Sequence, residues 1–320
     1  MQICITGANG FIGRYLIDAL SRQGHAIRVL TRREGSLSAG NIEVVRGDLT
    51  KPDCPLNEFM DSCDVLVHCA GEVRDEKVMR LLHVDGTRRL IQSVQDNFLR
   101  TGRIVHWVQL SSVGTYGPPV GLPERDRVVT EETESNPANE YEVTKTLSDE
   151  LVIQASKNGS ITYSILRPAN VFGTKMTNQS LRRLIVMVKR KLFFYVGKPG
   201  AIVTYVHVED VVAALMICAT ESRAKGQIYN LSSDCKLEDL INHIALLLGV
   251  RKPWLRLPVP FIRIPLGMCS FFLGGDVYIP SINVFVLRTR YPTQKIETEL
   301  GFYFSKSLPG GVDDMVKEFT

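Results

Sequence analysis

The short apolar run QICITG opens the chain and merges into TGANGFIG, residues 6–13, where a strand signal gives way to a helix signal. Glycine recurs at every third position: Gly7, Gly10 and Gly13. The first permits a tight turn, the second lets backbone approach a pyrophosphate, and the third lets the helix pack closely on the strand. Phe11 and Ile12 start the helix, whose N-terminus then faces negative charge. A glycine pattern in the first βα turn of an alternating chain reads as a dinucleotide site.

The alternation continues. AIRVLTR, IEVVRGDL, CDVLVHCAG, IVHWVQLSS and ITYSILRPANVFG read as strands, and FIGRYLIDALSRQG, KVMRLLHVDGTRRLIQSVQDNF and the segment around Tyr141 read as helices. Short β-rich runs separated by helices of ten or more residues imply crossover units and a parallel sheet, an α/β doubly wound Rossmann fold. After Gly173 the rhythm changes, and from Leu237 helices and proline-rich turns dominate. The expected organisation is a dinucleotide-binding domain over 1–173, with about 203–235 returning to it. A smaller mixed α/β substrate-binding cap is expected over 174–202 and 236–320. The long polar loop YGPPVGLPERDRVVTEETESNPANEY is of a length that is often functional.

The end of the second strand selects between cofactors. An acid there would bind the ribose hydroxyls of NAD; this chain has Thr31, Arg32 and Arg33. Two guanidinium groups suit a 2′-phosphate, so NADP is favoured over NAD, against the alternative of two solvated surface arginines. Asp48, followed by Leu49 in RGDL, is placed to accept from an adenine amino group or to serve as a turn residue.

Composition narrows the partners. The net charge of +4 carries no long basic run, which disfavours nucleic acid. Seven cysteines, an odd number without a Cys-x-x-Cys, fit a reduced cytoplasmic protein better than a disulfide scaffold or a zinc site, and no metal is expected. No signal peptide is evident at the start. The apolar segment 255–275 is broken by three prolines and two arginines, so stable membrane insertion is not expected; it reads as core helices, or else as a greasy lid or interfacial patch.

Tyr141 and Lys145 stand four apart in NEYEVTKTLSDELV, one turn from each other on a helix face. Alone, the pair is an ordinary surface feature as readily as a phenol poised to lose its proton. The ordered set TGANGFIG, GDL, VHCAG, HVDGT, LSSVGTYG, YEVTK, LRPANVFG, VHVEDVVAAL, IYNLSS and ETELGF decides the matter. With it the chain resembles the extended short-chain dehydrogenase/reductase superfamily, which includes NAD(P)-dependent nucleotide-sugar epimerases, dehydratases and ketoreductases. The resemblance implies that Ser112, Tyr141 and Lys145 are catalytic. It implies that Cys69, Ala70, Gly71, His83 and Pro168 line the cofactor, and that Ser112, Thr115, Asn170 and Arg182 meet the substrate. A tyrosine of ordinary pKa about 10 is too weak a base at neutral pH, and the Lys145 ammonium is expected to favour its phenolate.

Three positions depart from the family pattern: His83 replaces a usual asparagine, Val203 an arginine that binds substrate phosphate, and Glu142 a glycine. His83 is open to a proton-relay or a structural role, and a diphosphate would need another donor such as Arg182, Arg183 or Lys198. The leading expectation is a nucleotide-sugar 4-epimerase or 4-ketoreductase. The alternatives are a hydroxysteroid- or dihydroflavonol-type dehydrogenase with an apolar substrate, and an NADP-binding regulatory protein. The resemblance also implies a homodimer paired through helices at about 76–97 and 140–157.

Overall fold

The computed structural model describes residues 1–33, 42–174, 176, 179–261 and 285–319. Seven parallel strands make the main sheet: β1 (Gln2–Thr6), β2 (Ala26–Thr31), β3 (Ile42–Arg46), β4 (Val65–His68), β5 (Val105–Leu110), β7 (Ile161–Pro168) and β11 (Gln227–Leu231). Their order is β11-β7-β5-β4-β1-β2-β3, and every pairing is parallel. Because helices cover both faces, strand side chains need not alternate with water. Ile3, Cys4 and Ile5 are all fully buried, and all six residues of β5 are buried.

On one face α1 (Phe11–Arg22) and α7 (Val208–Thr220) bury Leu16, Ile17, Leu20, Val211 and Leu215 against Ile3, Ile5, Val29 and Val67. The spacing 16, 17, 20 is one helical stripe. On the other face α4 (Thr87–Thr101) and α5 (Glu140–Ser156) bury Leu90, Val94 and Val152 around Trp107 and Leu66. The short α2 (Leu56–Phe59) closes this side, with Phe59 fully buried.

Two elements differ from their sequence reading. The helix expected over 77–98 runs as α3 (Glu76–Met79), a π-helical stretch Arg80–Gly86, and then α4. The wide turns seat His83 inward, buried. The run ITYSILRPANVFG is also two strands. Pro168 has no N–H to continue the ladder, the Ala169 N–H still reaches the Leu231 carbonyl, and β8 (Asn170–Phe172) leaves for another sheet.

That second sheet has the order β12-β10-β8, from β10 (Ile202–His207) and β12 (Ser233–Lys236). Two-stranded parallel pairs join β9 (Tyr195–Val196) to β13 (Arg256–Leu257), and β6 (Asp126–Val128), within the long polar loop, to β14 (Arg288–Arg290). A second core packs α6 (Ser180–Lys189) on α8 (Leu237–Leu247) through Leu181, Leu184, Ile185, Leu240, Ile241 and Ile244. Short helices Gln294–Leu300, Leu308–Gly311 and Asp313–Lys317 follow. Residues 262–275 of the apolar segment lie outside the described residues.

Candidate active site

All seven main strands point the same way, so their C-terminal ends share one edge, and β1 and β4 meet where the strand order reverses. Ligands of open α/β sheets bind at such an edge. Two cavities lie there and share Gly71: one of 270 Å³ over the glycine loop and the end of β2, one of 960 Å³ over the ends of β5 and β7.

The smaller cavity carries the phosphate cradle. Gly7 has φ +72°, and a Cβ on it would lie 2.6 Å from backbone atoms of Cys69 and Ala70. A Cβ on Gly13 would lie 2.2 Å from the Gly7 carbonyl oxygen. Since those obstacles are backbone, both positions demand glycine. Gly10 caps α1 without any side-chain hydrogen bond, and the first turn has no acid. The helix N-terminus therefore offers N–H donors and a positive dipole end to an anion. Gly7, Gly10, Thr31, Arg32, Arg33, Asp48, Leu49, Ala70 and Gly71 all line this cavity. The Asp48 carboxylate accepts from the Thr50 N–H at 2.9 Å and hydroxyl at 2.8 Å. Burial pushes its pKa up, but these bonds and the charge of Arg32 outweigh it and hold it low.

In the larger cavity Ser112, Tyr141 and Lys145 converge, with Ile12, Cys69, Gly71, Pro168 and Asn170 also in the lining. Asn139 caps α5 by accepting from the Glu142 N–H at 3.0 Å, and the Glu142 carboxylate accepts from the Ala138 N–H at 2.8 Å. This reciprocal cap fixes the first helical turn, where Tyr141 sits, and gives Glu142 a local reason to replace glycine. Ser112 Oγ accepts from the Gly114 N–H at 3.0 Å, and Ser112 and Tyr141 line the same cavity.

The electrostatics differ from the sequence expectation. Burial pushes the Tyr141 pKa up, the nearby Ser112 hydroxyl opposes that, and Asp149 and Glu142 add to the rise. Lys145 Nζ donates to the Leu110 carbonyl at 2.6 Å. Burial lowers its pKa, while Asp149 and Cys69 raise it. In this state Tyr141 is a protonated phenol, an acid ready to donate.

Sequence reading missed what stands behind these groups. Asp149, one turn beyond Lys145, is 1 % exposed. Its Oδ2 accepts from Ser111 Oγ at 2.8 Å and from Arg167 Nε and Nη2 at 3.2 and 3.1 Å, and its Oδ1 has no partner among the described residues. The guanidinium of Arg167 lies 4.9 Å from the Tyr116 ring centroid. Lys145-x-x-x-Asp149 was readable as a helical pair; the Ser111 and Arg167 partners were not.

His83 lines neither cavity. Its Nε2 accepts from the Glu72 N–H and its Nδ1 meets Thr144 Oγ1, both at 2.9 Å. Burial and the charge of Lys145 bring its pKa down to about 3, so it is neutral and ties the segment after β4 to α5. Thr115 is buried and its hydroxyl donates to the Ser112 carbonyl. Phe11 packs edge-on against Tyr15, at 5.8 Å between ring centroids. Arg182 pairs with Glu318 at 2.6 Å and donates to the Thr174 carbonyl. None of these three, nor Arg183 or Lys198, lines the larger cavity.

A glycine cradle at the sheet's switch point beside a Tyr–Lys pair defines a nicotinamide dinucleotide-dependent enzyme. The chain belongs to the NAD dependent epimerase/dehydratase family, whose sequence model matches residues 3–232. It is 28 % identical over 244 residues (74 % of this chain, 70 % of the other) to the 4-hydroxy-2-methyl-3-oxo-4-farnesyl-3,4-dihydroquinoline-1-oxide ketoreductase of Stigmatella aurantiaca. It is 24 % identical over 277 residues (81 % and 79 %) to a UDP-glucose 4-epimerase of Vibrio cholerae. The solved structure of MoeE5 in complex with UDP-glucose and NAD superimposes with a TM-score of 0.73 at 22 % identity, over 99 % of this chain and 98 % of that one, a likeness of fold.

Proposed function

We propose that the protein is a ketoreductase that interconverts a ketone and a secondary alcohol, with NADP favoured over NAD. The convergence of Ser112, Tyr141 and Lys145 on the larger cavity carries this reading. When bound, the nicotinamide supplies or accepts the hydride. Ser112 orients the reacting oxygen, and Tyr141 gives that oxygen a proton in reduction and takes it back in oxidation. Lys145 holds positive charge beside the ring and keeps the helix face registered on the end of β5. Arg32 and Arg33, on the rim of the smaller cavity, supply charge-assisted donors for a 2′-phosphate.

The substrate favoured is a nucleotide-activated 4-keto sugar, by likeness to relatives such as the UDP-glucose 4-epimerase. Asn170, Thr204, Tyr205 and Thr289 give the cavity polar groups for sugar hydroxyls. One observation favours a second reading, an apolar ketone. Pro118, Pro119, Leu122, Val113, Ile202 and Val203 form much of the wall. The Arg127 guanidinium is occupied by the Gly117 and Tyr116 carbonyls, at 2.8 and 3.0 Å. NADPH consumption with a panel of nucleotide 4-keto sugars and apolar ketones tests both. Turnover of the sugars supports the first, turnover of the apolar ketones the second, and turnover of neither overturns the proposed reaction.

A further inference from the structure

The charge of this molecule is unevenly placed. Residues 181–198 hold six lysines and arginines, and residues 240–261 hold three, with no aspartate or glutamate in either stretch, while the whole chain nets +4. Far apart in sequence, the stretches meet in space. β9 and β13 pair in parallel, Tyr195 opposite Arg256, and the Tyr195 N–H bonds the Leu255 carbonyl at 2.9 Å. Parallel pairing brings the residues that precede both strands to one edge: Arg190, Lys191 and Leu192 from the end of α6, and Arg251, Lys252 and Trp254 from beyond the end of α8.

Two of the nine cations are neutralised, Arg182 by Glu318 and Arg256 by Glu238. Arg190, Lys191, Arg251 and Lys252 are exposed and form no ion pair among the described residues. Large apolar side chains alternate with them. Trp254 is 78 % exposed and Leu192 61 %. Solvated charge alone does not account for Trp254 and Leu192 left in water on that edge.

We propose that this edge is a docking surface for an anionic phospholipid bilayer, with the lysines and arginines against the headgroups and Trp254 and Leu192 in the headgroup–acyl boundary. Tryptophan favours that boundary, long basic side chains reach back to phosphate, and apolar and cationic contributions add. No described helix is long and apolar enough to cross a membrane, so the mode is adsorption to the surface. The inference is independent of the reaction, because neither cavity includes these residues.

Co-sedimentation of the full chain with vesicles of phosphatidylglycerol and phosphatidylcholine, against phosphatidylcholine alone, tests it. The expected result is binding to the anionic vesicles that weakens as salt rises. Arg190→Glu with Lys252→Glu should reduce it at least tenfold, since each cation near such a surface contributes about fivefold. Trp254→Ser should reduce it several-fold at constant salt, with the melting temperature and NADPH affinity of both variants unchanged. Failure to bind anionic vesicles above the phosphatidylcholine background overturns the proposal. Vesicle binding indifferent to Trp254→Ser and matched by heparin also overturns it, assigning the edge to soluble polyanions instead.

Discussion

Lys145 is an ammonium 6 % exposed that donates to a backbone carbonyl. Among the groups around it, Cys69, His68 and His83 are neutral or nearly so, Tyr141 is a phenol, and Asp149 is the counter-charge, itself shared with Arg167. Burial works to strip the Lys145 proton, and Asp149 works to keep it. Asp149→Asn should therefore lower the Lys145 pKa further and move the alkaline limb of the kcat/KM profile down by about 1–3 pH units. The change also strands the Arg167 guanidinium, so about 3–5 kcal/mol of stability should go with it, and the profile must be taken below the reduced melting temperature. An unmoved limb would make Asp149 a brace for Arg167 alone. At the other cavity, Arg32→Ala with Arg33→Ala should weaken NADPH binding at least tenfold and leave NADH unchanged, as read by fluorescence titration. Equal losses for both cofactors would remove the 2′-phosphate role.

At the scale of elements, the glycine turn and the Tyr–Lys helix were legible in the sequence because their signals are local. Three glycines within seven residues and two side chains one helical turn apart need no knowledge of the rest of the chain. Asp149 was not legible in its role, because its partner Arg167 is 18 residues on, in another element. Nor was the break after Pro168 legible, since ITYSILRPANVFG reads as one continuous β-rich run and only the neighbouring β10 and β11 reveal two sheets. The π-helical turn at Arg80–Gly86 likewise hides inside a regular helical pattern. The turn itself makes a firm prediction. With the Gly7 carbonyl 2.2 Å from a new Cβ, Gly13→Ala must push α1 off β1. A loss of about 1–3 kcal/mol in stability is expected, with NADPH affinity down at least tenfold. A variant that melts and binds like the parent would show that the cradle tolerates the side chain.

Across the whole molecule, the sheet edge that carries both cavities rests on a buried polar network. His68 Nδ1 is hydrogen-bonded to Thr6 Oγ1 at 2.6 Å, and its Nε2 reaches Thr87 Oγ1 at 3.2 Å. Thr87 continues to Ser148 at 3.0 Å, and Ser148 accepts from Gln109 at 2.8 Å. Burial, with the charge of Lys145, brings the His68 pKa down to about 3, as it does for His83. Between that value and the ordinary 6.5 only the unfolded chain binds these protons, so stability is full above pH 6.5 and falls as pH drops toward 3. The slope is at most about 1.4 kcal/mol per pH unit for each histidine. Melting temperatures across that window should fall with acid, and less steeply in His68→Gln.

The most direct test of the proposed chemistry lies in the larger cavity. On a substrate that wild-type protein turns over, Tyr141→Phe should cut kcat by about 10²–10⁴-fold while NADPH affinity and melting temperature hold. Turnover within threefold of wild type would contradict the account, since the phenol would then not be the group that moves the proton.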